Sequence, residues 1–127
     1  MAYPTGSGSG RLQRGTIHNM VNADTAFRFD GGLAATGTSS YTVPANHIIT
    51  VLKIIICDVA NAAKYFQLIV TAGGVNMNLL YRQTVPAKGT FVWNEKIVLH
   101  SGDKLMLGGQ ASANFDVNYT YVDQNWE

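Results

Sequence analysis

Charge is what this sequence has least of. Lys, Arg, Asp and Glu make up 13% of its 127 residues, about half the roughly 25% of an ordinary soluble domain. Nine cations against eight anions leave a net charge of +1, which excludes a protein that grips nucleic acid chiefly by neutralising phosphates. The only basic bias is local, at Arg11 and Arg14. One cysteine, Cys57, cannot close a disulfide within the chain, so no oxidising compartment is implied. No run reaches the roughly 20 apolar residues that span a bilayer. The richest, Ile48 to Cys57, is interrupted by Lys53 and stopped by Asp58. Met1 to Gly10 lack the apolar core of a signal peptide. Helical periodicity is missing too: only the alanine-rich stretch Asp58 to Lys64 is suited to a helical turn.

The chemistry of sites is equally sparse. His18, His47 and His100 fall in separate elements, none at zinc-ligand spacing, and Cys57 cannot complete a set. No metal and no cofactor is expected. His100-Ser101-Gly102-Asp103 contains the letters of a catalytic triad, but a triad needs the base between nucleophile and acid. Four neighbours in a tight turn are better read as the turn itself. The carboxylates are scattered, and Asp24 to Asp30 lacks the alternating oxygen ligands of a calcium loop. Gly6 to Gly10 follows no strand and ends in no Lys-Ser or Lys-Thr, so it is not a phosphate loop. No catalytic residue is assigned, and the expected role is non-enzymatic.

What the chain does have is strand texture. From Gly15 onward, short β-branched and aromatic runs alternate with turn residues. Strands are expected at 16–21, 26–29, 40–43, 48–57, 64–71, 75–83, 90–99, 104–109 and 115–122. Turns every eight to twelve residues favour a sandwich or barrel. The length fits one domain, 15–127, preceded by a glycine- and serine-rich arm, 1–14, read as flexible. In the last strand Phe115, Val117, Tyr119 and Tyr121 share one face, and Asp116, Asn118 and Thr120 the other. Phe66, Leu68 and Val70 likewise share a core face.

Ile48–Cys57 reads as apolar on both faces, with Ile48, Leu52, Ile54 and Ile56 against Ile49, Val51, Ile55 and Cys57. An antiparallel strand usually keeps one face wet, so a cover is expected. Arm, loop and neighbouring subunit are all open as that cover. Glu95-Lys96 breaks the strand at 90–99 and marks a bulge or an exposed ion pair. Thr42-Val43-Pro44-Ala45 recurs as Thr84-Val85-Pro86-Ala87. Because proline sits at strand ends, both copies are expected to turn the same corner between sheets.

Leu99-His100-Ser101-Gly102-Asp103-Lys104-Leu105 is a strand, a tight turn and a strand, set between the Val-Pro-Ala corners and the closing Val117-Asn118-Tyr119-Thr120-Tyr121. Over roughly residues 40 to 123 this order of features resembles small bacteriophage virion proteins with jelly-roll-like β-sandwiches. The resemblance implies an all-β, jelly-roll-like antiparallel sandwich located in the virion. Its role would be a capsid decoration (cement) protein or tail-associated module. Its partners would be copies of itself and a major capsid protein or other virion protein, without nucleic acid or membrane. Tyr3, Arg11, Leu12, Arg14 and Trp126 are the candidate interface residues, being near the termini and largely of the types that carry interface energy. For Trp126, packing on its own sheet is the competing reading. The alternative function is a carbohydrate-binding or tail-fibre module. It would stack sugars on Tyr65, Tyr81, Trp93 or Trp126 beside Asn76, Asn78 or Gln83.

Overall fold

The computed structural model describes residues 9–20, 25–30 and 41–125. Among these residues there are nine strands and no helix: β1 (Ser9–Met20), β2 (Thr25–Ala26), β3 (His47–Asp58), β4 (Lys64–Ala72), β5 (Val75–Val85), β6 (Thr90–Trp93), β7 (Ile97–Leu99), β8 (Lys104–Gly109) and β9 (Phe115–Asn125). They form two antiparallel sheets. One runs β1-β9-β3-β6, with β7 also on β3, and the other runs β2-β8-β4-β5. The chain passes repeatedly from sheet to sheet, giving the expected jelly-roll-like sandwich. The expected arm is corrected at its boundary. Residues 9–14 belong to β1 and pair with 120–125 of β9, while residues 1–8 lie outside the described set.

The core forms where alternating apolar residues of both sheets meet. Phe115, Val117, Tyr119 and Tyr121 of β9 are all buried there, as the alternation predicts. Phe66, Leu68, Leu105 and Leu107 face them from the other sheet. Phe27 and Phe29 meet Tyr119 and Tyr121 edge-on, with centroids 4.8 and 5.0 Å apart. The Tyr119 hydroxyl ties the layers together. It donates to the Arg28 carbonyl at 2.6 Å and accepts from the Arg28 N–H at 3.0 Å. Gly15 makes room for that ring, because a Cβ there would overlap it. Burial pushes the Tyr119 phenol above its ordinary pKa.

A bulge corrects the reading of β3. Its register against β9 slips between Val51 and Lys53, where Val51 opposes Tyr121 and Lys53 opposes Thr120. The extra residue, Leu52, flips the alternation. Ile54 and Ile56 therefore rejoin Ile49 and Val51 on the core face, all at most 1% exposed. The outer face receives Ile48, Thr50, Lys53, Ile55 and Cys57. Strict alternation makes both faces look apolar; with the bulge, one is apolar and the other mixed.

The two Val-Pro-Ala corners share one geometry. Val43 and Val85 are both buried. The Pro44 carbonyl accepts from the His47 N–H at 3.3 Å, and the Pro86 carbonyl from the Gly89 N–H at 2.9 Å. The third residue of each turn has positive φ, 64° at Asn46 and 57° at Lys88. The second corner carries the chain from β5 in one sheet to β6 in the other. No strand forms at 41–43, although Val43 exchanges backbone hydrogen bonds with Gly102 and Asp103. The expected strand at 90–99 splits into β6 and β7 around 94–96. Three residues there oppose two of β3, as the Glu95-Lys96 interruption implies.

Candidate assembly surface

The outer face of the five-stranded sheet is built from alternate residues of five strands. Register places Ile55 beside Asn118 on one side and Val92 on the other. It also places Thr50 between Val122 and Val98. Leu12 opposes Val122 on β1. Four aliphatic side chains on this face stand open to solvent: Leu12 at 69%, Val98 at 54%, Val92 at 43% and Ile55 at 37% exposed. They lie among uncharged Thr16, Asn118, Thr120 and Thr90. Thr16, His18, Ile55, Cys57, Asp116 and Asn118 line a shallow groove of about 510 Å³ across β1, β9 and β3. The charges on the face are few and of both signs. Arg14 and Lys53 are exposed, and the Asp116 carboxylate accepts from His18 Nδ1–H at 3.1 Å.

The candidate interface residues divide. Tyr3 and Trp126 lie outside the described residues. Leu12 and Arg14 project from edge strand β1 on the outer face. Arg11 points the other way, opposite Asp123, and lines a recess of about 140 Å³ with His47, Asp123 and Asn125. Ile55, Val92 and Val98 were not picked out from the sequence as interface residues. Locating them takes the β3 bulge and the pairing of three separate strands.

That recess brings together a histidine and an aspartate, with His47 Nδ1 2.7 Å from Asp123 Oδ1. Half a triad is not a catalytic site. Ser101, the nearby hydroxyl, donates to the His47 carbonyl at 3.3 Å and not to its ring. Asp103 is likewise occupied in the turn, its Oδ2 accepting from the His100 N–H at 2.9 Å, with Gly102 at φ 90°. Among the described residues no three His, Cys, Asp or Glu side chains are grouped to hold a metal.

The aromatic residues named for sugar binding also divide. Trp93 turns inward and packs against the core, and Trp126 is outside the described set. Tyr65 and Tyr81 flank Arg82 on the four-stranded sheet, its guanidinium carbon 5.2 and 5.3 Å from their ring centroids.

No protein-family model matches the chain, and no curated protein matches it in sequence. Among solved structures, one described as Bacillus endospore appendages that form a novel family of disulfide-linked pili aligns over 100% of this chain and 97% of its own, with TM-score 0.53 and 8% identity. That likeness is one of fold. Looser likenesses are to the globular domain of zebrafish complement 1qA (TM-score 0.47, 15% identity, 94% and 95% covered). Infectious bursal disease virus Gx strain gives TM-score 0.46 at 9% identity, covering 94% of this chain and 34% of that one.

Proposed function

We propose that this chain is a non-enzymatic structural subunit that assembles through the outer face of its five-stranded sheet. The observation that carries the reading is that Leu12, Ile55, Val92 and Val98 stand exposed on one face while the core is complete without them. Full burial of such a side chain from water is worth about 1.5–3 kcal/mol, and covering these four, 37–69% exposed, returns that share of it. Thr16, Asn118, Thr120 and Thr90 beside them cost little to desolvate, while Arg14 and Lys53, in the row between Leu12–Val98 and Ile55–Val92, need partners across the contact. The first occupant is a second copy of this chain. Arg14 and Lys53 against Asp116 give the face both signs, so a symmetry-related copy presents the complement of what it meets. The shared fold also builds pili in Bacillus endospore appendages.

The finer reading is a capsid decoration protein in the virion, seated across seams between major capsid subunits. Many copies with several weak contacts would stabilise such a shell without any single strong one. Tyr3 would be one of the residues that contact a neighbour. Co-sedimentation with assembled shells of the partner capsid protein tests this. The chain should pellet with the shells, and Ile55→Asp should leave it in the supernatant. A wild-type chain that stays in the supernatant at every concentration would remove the decoration reading.

A further inference from the structure

The outer face of the four-stranded sheet has a different chemistry. Two β5 residues, Tyr81 and Arg82, oppose the single β4 residue Gln67 in a bulge between the Phe66–Gln83 and Leu68–Leu80 pairs. Arg82 sits there at φ 54°, a left-handed conformation that a long side chain adopts only at a cost. A bulge re-aims a side chain, and this one directs the Arg82 guanidinium over two rings at once, Tyr65 and Tyr81. The contrast with Arg28 is informative, since that guanidinium donates to Asp30 at 2.7 Å. Arg82 has no acidic partner among the described residues, and residues 64–85 contain no Asp or Glu at all. Its planar fork of donors is held by aromatic contact and left open toward solvent.

We infer that this Tyr65–Arg82–Tyr81 cluster binds a carboxylate-bearing saccharide, with a uronic or sialic acid unit as the anionic element. A guanidinium fork matches a planar carboxylate with two parallel hydrogen bonds. The Tyr81 ring, 62% exposed, offers an apolar face to the C–H side of a sugar. Gln67 beside the bulge, Thr84 opposite Tyr65 and Asn78 opposite Ile69 supply uncharged donors and acceptors for hydroxyls along the same two strands. One guanidinium with amide neighbours suits an acidic sugar better than a nucleic acid, which needs several phosphates neutralised together. The cluster lies on the opposite sheet from Leu12, Ile55, Val92 and Val98, so it stands or falls independently of the assembly reading.

Calorimetry on the intact chain tests it, with 3′-sialyllactose and oligogalacturonate as acidic probes. Lactose serves as the neutral probe, a carrageenan-derived oligosaccharide, which carries sulfates and no carboxylate, as the sulfated one, and a short poly-glutamate peptide as the protein-like acid. One or both carboxylated saccharides should bind at least tenfold more tightly than lactose, the peptide or the sulfated probe. Which of the two binds identifies the sugar source. Arg82→Gly should abolish binding while the fold, read by circular dichroism, is kept, because glycine accepts the left-handed backbone. Tyr81→Ala should weaken binding at least tenfold, and Arg82→Lys should fail to restore the fork. Four results would each overturn the proposal: no acidic saccharide bound, equal affinity for lactose, equal or tighter binding of the peptide or sulfated probe, or binding unchanged in Arg82→Gly.

Discussion

The two outer faces of this sandwich are made from the same backbone pattern and differ in the groups they present. On the five-stranded sheet the solvent side exposes aliphatic Leu12, Ile55, Val92 and Val98. On the four-stranded sheet, the β4–β5 edge exposes an aromatic–guanidinium cluster with amides around it, together with Val75, Met77 and Leu79 farther along β5. Each face owes its character to a bulge. The one at Leu52 keeps four β3 side chains in the core and leaves Ile55 outside, and the one at Tyr81-Arg82 lifts a cation over two rings. Composition alone cannot show this, because the bulges decide which side chain reaches which face. The five-stranded face is suited to covering by protein, and the Tyr65–Arg82–Tyr81 cluster to a small ligand.

The sharpest way to break the contrast is to charge each face in turn. Aspartate at both Ile55 and Val92 should reduce self-association more than a hundredfold, read by light scattering. Covering the patch would then lose apolar burial and bury unpaired carboxylates. Aspartate at Tyr81 should leave association unchanged. Equal loss from both would dissolve the distinction.

Next in size is Gly15→Ala, which tests whether β1, and with it Leu12, is anchored through Tyr119. The added methyl meets the ring, and overpacking of that kind costs about 1–3 kcal/mol. Chemical denaturation should show the loss, together with weakened association.

Tyr119→Phe should cost about 1–3 kcal/mol by leaving the Arg28 backbone groups without their partner. It also carries a pH signature. Burial raises the Tyr119 phenol and pushes Tyr41 up to about 12, against about 10 in an unfolded chain. The native state therefore holds these protons more tightly. The stability they contribute is fully present below pH 10 and falls as pH rises through 10 toward 12. Denaturation midpoints compared at pH 9 and pH 11.5 should drop less in Tyr119→Phe than in the wild type.

The smallest effect is expected at Arg82→Gly. Relief of the left-handed strain is offset by glycine's chain entropy and the lost ring contacts, so stability should change by less than about 1 kcal/mol. A larger loss would make Arg82 a structural residue of the sheet.

Much of the fold is legible in the amino-acid order, because period-two alternation in β9 and β4 and the turn residues between strands are local signals. The Val-Pro-Ala echo is the clearest case: four shared residues correspond to one shared corner, down to the positive φ at Asn46 and Lys88. What escaped depends on pairing. The start of β1 at Ser9 is set by β9 across the sheet, since Gly10 and Arg11 carry little strand preference of their own. The β3 bulge is silent in a strand so uniformly aliphatic, and His47 meets Asp123 across 76 positions of sequence. Of the residues named beforehand for an interface, Leu12 and Arg14 lie on the aliphatic face, Arg11 does not, and Tyr3 and Trp126 fall outside the described residues.

The native thiol gives the most direct reading of whether the aliphatic face is covered. Cys57, the single cysteine, is half-buried on that face, two residues from Ile55. Its rate of alkylation by iodoacetamide should fall as protein concentration rises into the range where light scattering shows assembly, with urea restoring full reactivity. A rate that stays constant while copies associate would place the contact elsewhere on the molecule and contradict the account.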